Sequence, residues 1–327
     1  MTIAPGLLDR FRADLFTLRP HLKSSADKLG VAVSGGGDSL ALLLLAHKAM
    51  PGRVEAATVD HQLRAESAGE AAQAARYCAE IEVPHRILTV TVKDGNLQSQ
   101  ARAARYRALA AWCEERELSD LATAHQLDDQ AETFLMRLNR GSGLAGLASI
   151  RALSTVPDTS IPLVRPLLAW RRDELADIVG AAGWEAVQDP SNSNTDFDRV
   201  RMRENLAGCD WIDRDALGRS AHYLAEADAI IRDLILREFT DRVTFDGEEA
   251  HYRIERQGSR ASIVQGGVIR AIFALFAIQV SQRVGAGLAD NLTRGLKTNI
   301  GGLQADAWTK DGETVWAFRR ENTRRTS

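Results

Sequence analysis

The chain has 327 residues, of which 45% are hydrophobic and 26% charged, with a formal net charge of −3. That length allows two domains and a sizeable core, and the composition is that of an ordinary globular protein. The charge excludes a broadly basic nucleic-acid binder, so any RNA contact must come from local arginine clusters. Only three cysteines occur, Cys78, Cys113 and Cys209, with no C-x-x-C pair. The spacing indicates neither a zinc ribbon nor an iron–sulfur site and suits a reducing, cytoplasmic compartment. The longest apolar runs, 40–46 and 271–278, are too short for a membrane span, and residues 1–20 lack a signal-peptide core.

Residues 5–22 read as a helix with Leu7, Leu8, Phe11, Leu15 and Leu18 on one side. Next, Val31-Ala32-Val33 leads into Ser34-Gly35-Gly36-Gly37-Asp38-Ser39, and the apolar run 40–46 follows. The pattern predicts strand, tight turn and helix. Such a turn gathers backbone N–H groups at a helix N-terminus, where unpaired donors and the helix dipole favour an anion. Three glycines let backbone approach a phosphate, and Ser34 and Ser39 add hydroxyl donors. It is not a Walker loop, because Asp38 stands where Lys is needed. Nor is it a dinucleotide fingerprint, because Leu40 stands where the third glycine belongs. A Gly-rich turn without a ligand is the plain alternative, yet a turn does not need this flanking by serines and an acid. The loop resembles that of the PP-loop ATP pyrophosphatase family. The resemblance implies cleavage of ATP between the α- and β-phosphates and adenylation of a substrate oxygen.

A second strand is expected over 54–59, ending in Asp60-His61-Gln62-Leu63-Arg64, polar residues at a strand end that either face a ligand crevice or cap a helix. Residues 66–81 read as a helix, 86–92 as a strand and 97–117 as an arginine-bearing helix with Arg102 and Arg105 on one face. A solvated face is the bland alternative there. The strand 121–124 runs into His125-Gln126-Leu127-Asp128-Asp129-Gln130-Ala131-Glu132. A helix starting near Leu127 brings Asp128, Asp129 and Glu132 together in its first turns. Beside a triphosphate they suit Mg²⁺ or the base for an attacking amine, whereas helix capping alone needs fewer acids.

The glycines 141, 143 and 146 suggest a flexible loop covering the site, or a helix C-cap and turn. Residues 154–162 read as a surface loop, 164–168 as extended and 170–180 as a helix with Arg171 near its start. Asp189-Pro190-Ser191-Asn192 is a turn signature. Arg199, Arg201 and Arg203 line one face if extended, as phosphates require, and scatter as a solvated run if helical. A long helix is expected over 215–240, a buried helix over 268–283, and a hairpin from 303–307 and 314–319. The C-terminal arginines either touch RNA or are simply solvated.

Together these pieces resemble the tRNA(Ile)-lysidine synthetase family over residues 29–206. The motifs are S-G-G-G-D-S, Asp60-His61 with Leu63-Arg64, Ala101-Arg102 with Arg105-Tyr106, H-Q-x-D-D-Q-x-E-T from His125, Arg165-Pro166, and the 199–203 arginines. Gln98 stands where that family usually has an acid, and Val200 where it usually has Asn. The resemblance implies an α/β fold: an open, mostly parallel sheet with helices on both faces. A catalytic domain over 1–212, a helical linker over 213–245 and a small α+β accessory domain over 246–327 are expected. It implies that ATP adenylates the wobble cytidine of tRNA(Ile) with a CAU anticodon and that the ε-amine of L-lysine then displaces AMP. ATP and Mg²⁺ are the implied cofactors, with residues 34–39 (Ser34, Gly35, Gly36, Gly37, Asp38, Ser39) on the phosphates and Asp38 and Asp129 on the metal. Asp38, Arg64, Arg102, His125, Asp128, Asp129 and Glu132 are the implied catalytic set. Arg105, Arg165, Arg171, Arg199, Arg201 and Arg203 are the implied tRNA contacts, and a homodimer is left open. The rival readings are a PP-loop tRNA thiolase, which needs paired or persulfide-forming cysteines, another adenylating ligase acting without RNA, and a nucleotide-binding module without turnover.

Overall fold

Pro20 has no N–H to continue a helix, so the first helix, α1 (Pro5–Leu18), stops before it and a 3₁₀ turn (Pro20–Lys23) follows. The computed structural model describes residues 3–24, 26–62, 67–91, 97–187, 198–254, 262–310 and 312–321. Two compact units, Met1–Ala225 and Glu226–Ser327, divide the chain.

In the first unit, β1 (Leu29–Ala32), α2 (Gly37–Ala49), β2 (Val54–Asp60), α3 (Ser67–Glu80), β3 (His85–Thr89), α4 (Leu97–Glu115) and β4 (Asp120–Ala122) alternate. Then come α5 (Leu127–Asn139), α6 (Leu144–Leu147), β5 (Leu153–Thr155), β6 (Pro162–Val164), α7 (Arg172–Ala181) and α8 (Asp198–Ala207). The sheet order is β3-β2-β1-β4-β6-β5, parallel except for the antiparallel edge strand β5. This is the expected open α/β sheet. Helices α1, α2, α3 and α7 cover one face through Phe11, Leu15, Leu40–Leu45, Cys78 and Leu175, and α4 covers the other through Tyr106, Leu109 and Trp112. The residues of α2 from Leu40 to Ala46 are fully buried, which is why its sequence is apolar all round rather than striped.

Several local expectations are corrected. The segment 154–162 is not simply a loop, because its ends pair as β5 and β6, strands too short to show alternation. The glycine segment after α5 begins as the expected C-cap and turn, with Gly141 at φ +64°, and then forms the short helix α6. Gln130 ties the chain behind it by donating to Ile150 O (3.0 Å) and accepting from Ile150 N (2.8 Å). The 199–203 arginines lie in helix α8, so the extended alternative fails. The turn at 189–192 lies outside the described residues.

Helix α9 (Arg214–Arg242) runs through the boundary between the units. The second unit holds β7 (Val243–Phe245), β8 (Glu249–Ile254), α10 (Ser262–Leu275), α11 (Gln282–Thr293), β9 (Thr298–Ile300), β10 (Leu303–Lys310) and β11 (Glu313–Arg320). Its sheet, β7-β8-β11-β10-β9, is antiparallel and includes the expected hairpin. The single helix expected over 268–283 is two helices. Ala277 adopts φ +61° and Ser281 Oγ accepts from Val284 N to start α11. The apolar run 271–278 continues past the end of α10 and hides the break. Among the described residues, no helix is long and apolar enough to cross a membrane.

β1 delivers the chain to the phosphate loop, and its Gly30 leaves room for α4. A Cβ there would stand 2.9 Å from both Trp112 Cζ3 and Leu118 Cδ1. Gly30→Ala is therefore expected to destabilise the first unit by about 1–3 kcal/mol through overpacking, seen as a lower melting temperature. An unchanged melting temperature would show that Trp112 yields freely.

Candidate active site at the carboxyl ends of β1 and β4

Chain direction across the sheet reverses between β1 and β4, which are hydrogen-bonded neighbours. Ligand crevices in open α/β sheets form outside such carboxyl ends. The loop after β1 and the start of α5 after β4 meet there.

The loop is braced from within. Ser39 Oγ accepts from Ser34 N (3.1 Å) and Ser34 Oγ (3.2 Å), and donates to Gly36 O (2.8 Å). The Ser39 hydroxyl is thus a brace rather than a free phosphate donor, a correction to the expected role. Ser39 N and Leu40 N also donate to Gly36 O. The N–H groups of Gly35, Gly36, Gly37 and Asp38 find no acceptor among the described residues. Four consecutive free donors at the start of α2 make a nest for an anion.

Asp38 stands beside this nest with no ion-pair partner among the described residues. Burial raises its carboxyl to about 6, against the pull of Arg172, and Asp129 and Asp128 add to the rise. Gln126, whose Nε2 is buried without a hydrogen bond of good geometry, lies on its flank and lowers it slightly.

Helix α5 starts with a capping box: Gln126 Oε1 accepts from Asp128 N (2.6 Å) and Asp129 Oδ2 from Gln126 N (3.0 Å). The remaining acidic oxygens face arginines. Asp129 Oδ1 accepts from Arg199 Nη2 (2.7 Å), and Glu132 accepts from Arg199 Nε (2.9 Å) and Arg203 Nε (2.8 Å). Asp128 meets Arg214 Nη1 at 2.8 Å and Arg172 Nε at 3.7 Å. Arg199 and Arg203 are four apart on α8 and share the inward face, whereas Arg201 points outward to pair with Asp198. Glu132 is 1% exposed, against 18% and 16% for the Asp128 and Asp129 side chains. It holds the two arginines from beneath.

A second, uncompensated basic group lies across the crevice. The guanidinium carbons of Arg102 and Arg105 stand 4.9 and 5.4 Å from the centre of the Tyr106 ring. Buried Arg165 donates to Arg151 O (2.7 Å) and Ser154 Oγ (3.0 Å). None of the three has a carboxylate partner among the described residues, and Arg105 Nε and Arg165 Nε are buried without partners. Burial, reinforced by Arg165, Arg102, Arg199 and Arg105, pushes His125 down to about 3, so its imidazole, 3.1 Å from Thr123 Oγ1, is neutral. In that state it can share a proton. His61 is held low by burial and Arg105 in the same way.

Arg171 is turned away and paired with Asp215, whereas its unpredicted neighbour Arg172 faces the acids. Arg214, also unpredicted, has its partner Asp128 86 residues away, beyond any local signal. Arg64 lies outside the described residues.

A family model for the PP-loop domain matches residues 10–208, so the crevice is that of a PP-loop ATP-binding domain. A tRNA(Ile)-lysidine synthase from Zymomonas mobilis is 46% identical over 68% of this chain and 68% of its own. Another from Novosphingobium aromaticivorans is 45% identical over 72% of each chain, and one from Ruegeria pomeroyi 43% identical over 74% of this chain and 55% of its own. The chain belongs to the tRNA(Ile)-lysidine synthase family. Among solved structures, the U34-tRNA thiolase NcsA from Methanococcus maripaludis shares the fold, with a TM-score of 0.54, 21% identity, and coverage of 67% of this chain and 78% of that one.

The raised Asp38 carboxyl carries a stability consequence. It keeps its proton to about pH 6 in the folded state and releases it near 3.8 when unfolded. The native state binds more protons in that window, so this group's contribution declines as pH rises through it. Asp38→Asn is expected to raise the melting temperature at pH 7.5 by roughly 2–4 °C, about 1 kcal/mol, with the gain closing toward pH 4. A variant less stable than the parent at pH 7.5 would contradict the buried-charge account.

Proposed function

We propose that this protein ligates L-lysine to C2 of the wobble cytidine in the CAU anticodon of tRNA(Ile), converting ATP to AMP and pyrophosphate. The observation that carries the reading is the juxtaposition of four free loop N–H groups and Asp38 with the α5 acids, in a chain 46% identical to a tRNA(Ile)-lysidine synthase.

In the first half, the cytidine 2-carbonyl oxygen bonds to the α-phosphorus and the bond to pyrophosphate breaks. Backbone donors of Gly35, Gly36, Gly37 and Asp38 hold the departing phosphates, fixed in place before the charge develops. Asp38 fits a Mg²⁺ ion, being a carboxyl beside the nest with no cation of its own. Such an ion would neutralise the leaving group. Asp129 fits less well, because both its oxygens are engaged by Arg199 and Gln126.

In the second half, the lysine nitrogen bonds to C2, the C2–O bond breaks, and AMP leaves with that oxygen. An ammonium of pKa about 10.4 must first lose a proton. Asp128 and Asp129, partly exposed and paired with arginines, can exchange those partners for the ammonium and take up its proton. Arg102, Arg105 and Arg165, with no carboxylate partner among the described residues, can take RNA phosphates, and the anticodon loop presents its base unpaired.

Incorporation of labelled lysine into a tRNA(Ile) CAU transcript, with ATP and Mg²⁺, tests the reading. ATP-dependent label in RNA is expected, and Asp38→Ala should cut its rate about 100-fold or more. RNA-dependent pyrophosphate release without lysine label would instead favour a thiolase-type second substrate, and no ATP consumption would favour a binding module.

A further inference from the structure

The glycine loop is held from outside by a strap, residues 184–187, that the reading above does not use. Helix α3 grips one end of it. Tyr77 Oη accepts from Glu185 N (2.9 Å) and from Gln73 Nε2 (3.1 Å), and donates to Glu185 O (3.3 Å). Gln73 Nε2 also donates to Glu185 O (3.1 Å). The Tyr77 ring lies flat on Trp184, with centroids 4.5 Å apart and planes 11° from parallel, and Trp184 Nε1 donates to Glu80 (3.2 Å). Both polar groups of residue 185 and the neighbouring ring are thus fixed to one helix.

At the other end, Val187 N donates to Gly35 O at 3.0 Å. Gly35 has φ +85°, and a Cβ on it would lie 3.2 Å from Val187 Cγ2. A trans peptide is planar, with its C=O and N–H pointing in opposite directions. Fixing Gly35 C=O toward the strap therefore aims Gly36 N–H the other way, out of the strap's side of the loop. The Ser39 brace on Gly36 C=O does the same for Gly37 N–H. Without the strap bond the Gly35–Gly36 peptide could turn, and a carbonyl would replace a donor in the phosphate nest.

We infer that Tyr77, outside the crevice, is a positioning residue for ATP: through Glu185 and Val187 it sets the peptide whose N–H receives a phosphate. The inference rests on the reading of the loop as the ATP site.

The test compares the parent with Tyr77→Phe, which keeps the stacked ring and gives up the hydroxyl bonds, and with Trp184→Phe, which keeps a stacked ring but gives up the Glu80 bond and part of the buried indole. Michaelis constants for ATP, lysine and tRNA, kcat, melting temperature and amide exchange at Val187 are measured on the full chain. Tyr77→Phe should raise the KM for ATP roughly five- to tenfold, leave kcat and the other constants within about twofold, and speed exchange at Val187. Trp184→Phe should stay within about twofold throughout. An unchanged KM for ATP, or a rise in all three constants in step with a fall in melting temperature, would overturn the inference. Parent protein that consumes no ATP would instead overturn the reading of the loop itself.

Discussion

Four successive peptide N–H groups, Gly35 to Asp38, stay without acceptors among the described residues while buried structure surrounds them. Unpaired backbone donors are costly, so the chain spends several devices on keeping them open and aimed. β1, buried between β2 and β4, fixes where the loop begins. The apolar helix α2 fixes where it ends. The Ser39 hydroxyl and the Val187 amide take up the carbonyls that would otherwise compete for the crevice. An anion with several oxygens satisfies all four donors at once, which is why the arrangement reads as a phosphate site and not merely a tight turn.

Around that nest the charges are divided. Asp128, Asp129 and Glu132 share four arginines, Arg172, Arg199, Arg203 and Arg214, whereas Asp38 has none at ion-pair distance among the described residues. The basic group of Arg102, Arg105 and Arg165 has no acid at all among the described residues. One side of the crevice therefore lacks a cation and the other lacks an anion. In the proposed reaction a magnesium nucleotide and a polyanionic RNA would supply what each side lacks. The neutral imidazole of His125 lies at the basic side, where protonation would add a further unmatched charge. In the proposed reaction the α5 acids would exchange arginine partners for the lysine ammonium.

Legibility in the sequence followed locality. The phosphate loop was readable because its function is carried by contiguous backbone, and the strand–turn–helix setting followed from apolar runs on either side. The α5 acids were readable because capping and helical spacing place them together within two turns. Arg199 and Arg203 were visible as a cluster, but their destination depended on helical phase, which put Arg201 outside. Which of the adjacent Arg171 and Arg172 turns inward depends on the capping geometry at the start of α7, which no local pattern shows. Arg214 and Tyr77 left no local signal, since each acts on residues roughly ninety to a hundred positions away. The strands β5 and β6, each three residues long, and the break between α10 and α11 lie below what periodicity resolves.

The central claim is that the nest and Asp38 activate the RNA base before any amine is involved. Its most direct test is transfer of label from ATP, labelled at the α-phosphate, to tRNA(Ile) with a CAU anticodon in the absence of lysine. The account predicts an RNA-linked adenylate that forms with pyrophosphate release and disappears, as free AMP, when lysine is added. Label that never enters RNA, with pyrophosphate released only when lysine is present, would contradict it and move activation from the base to the amino acid.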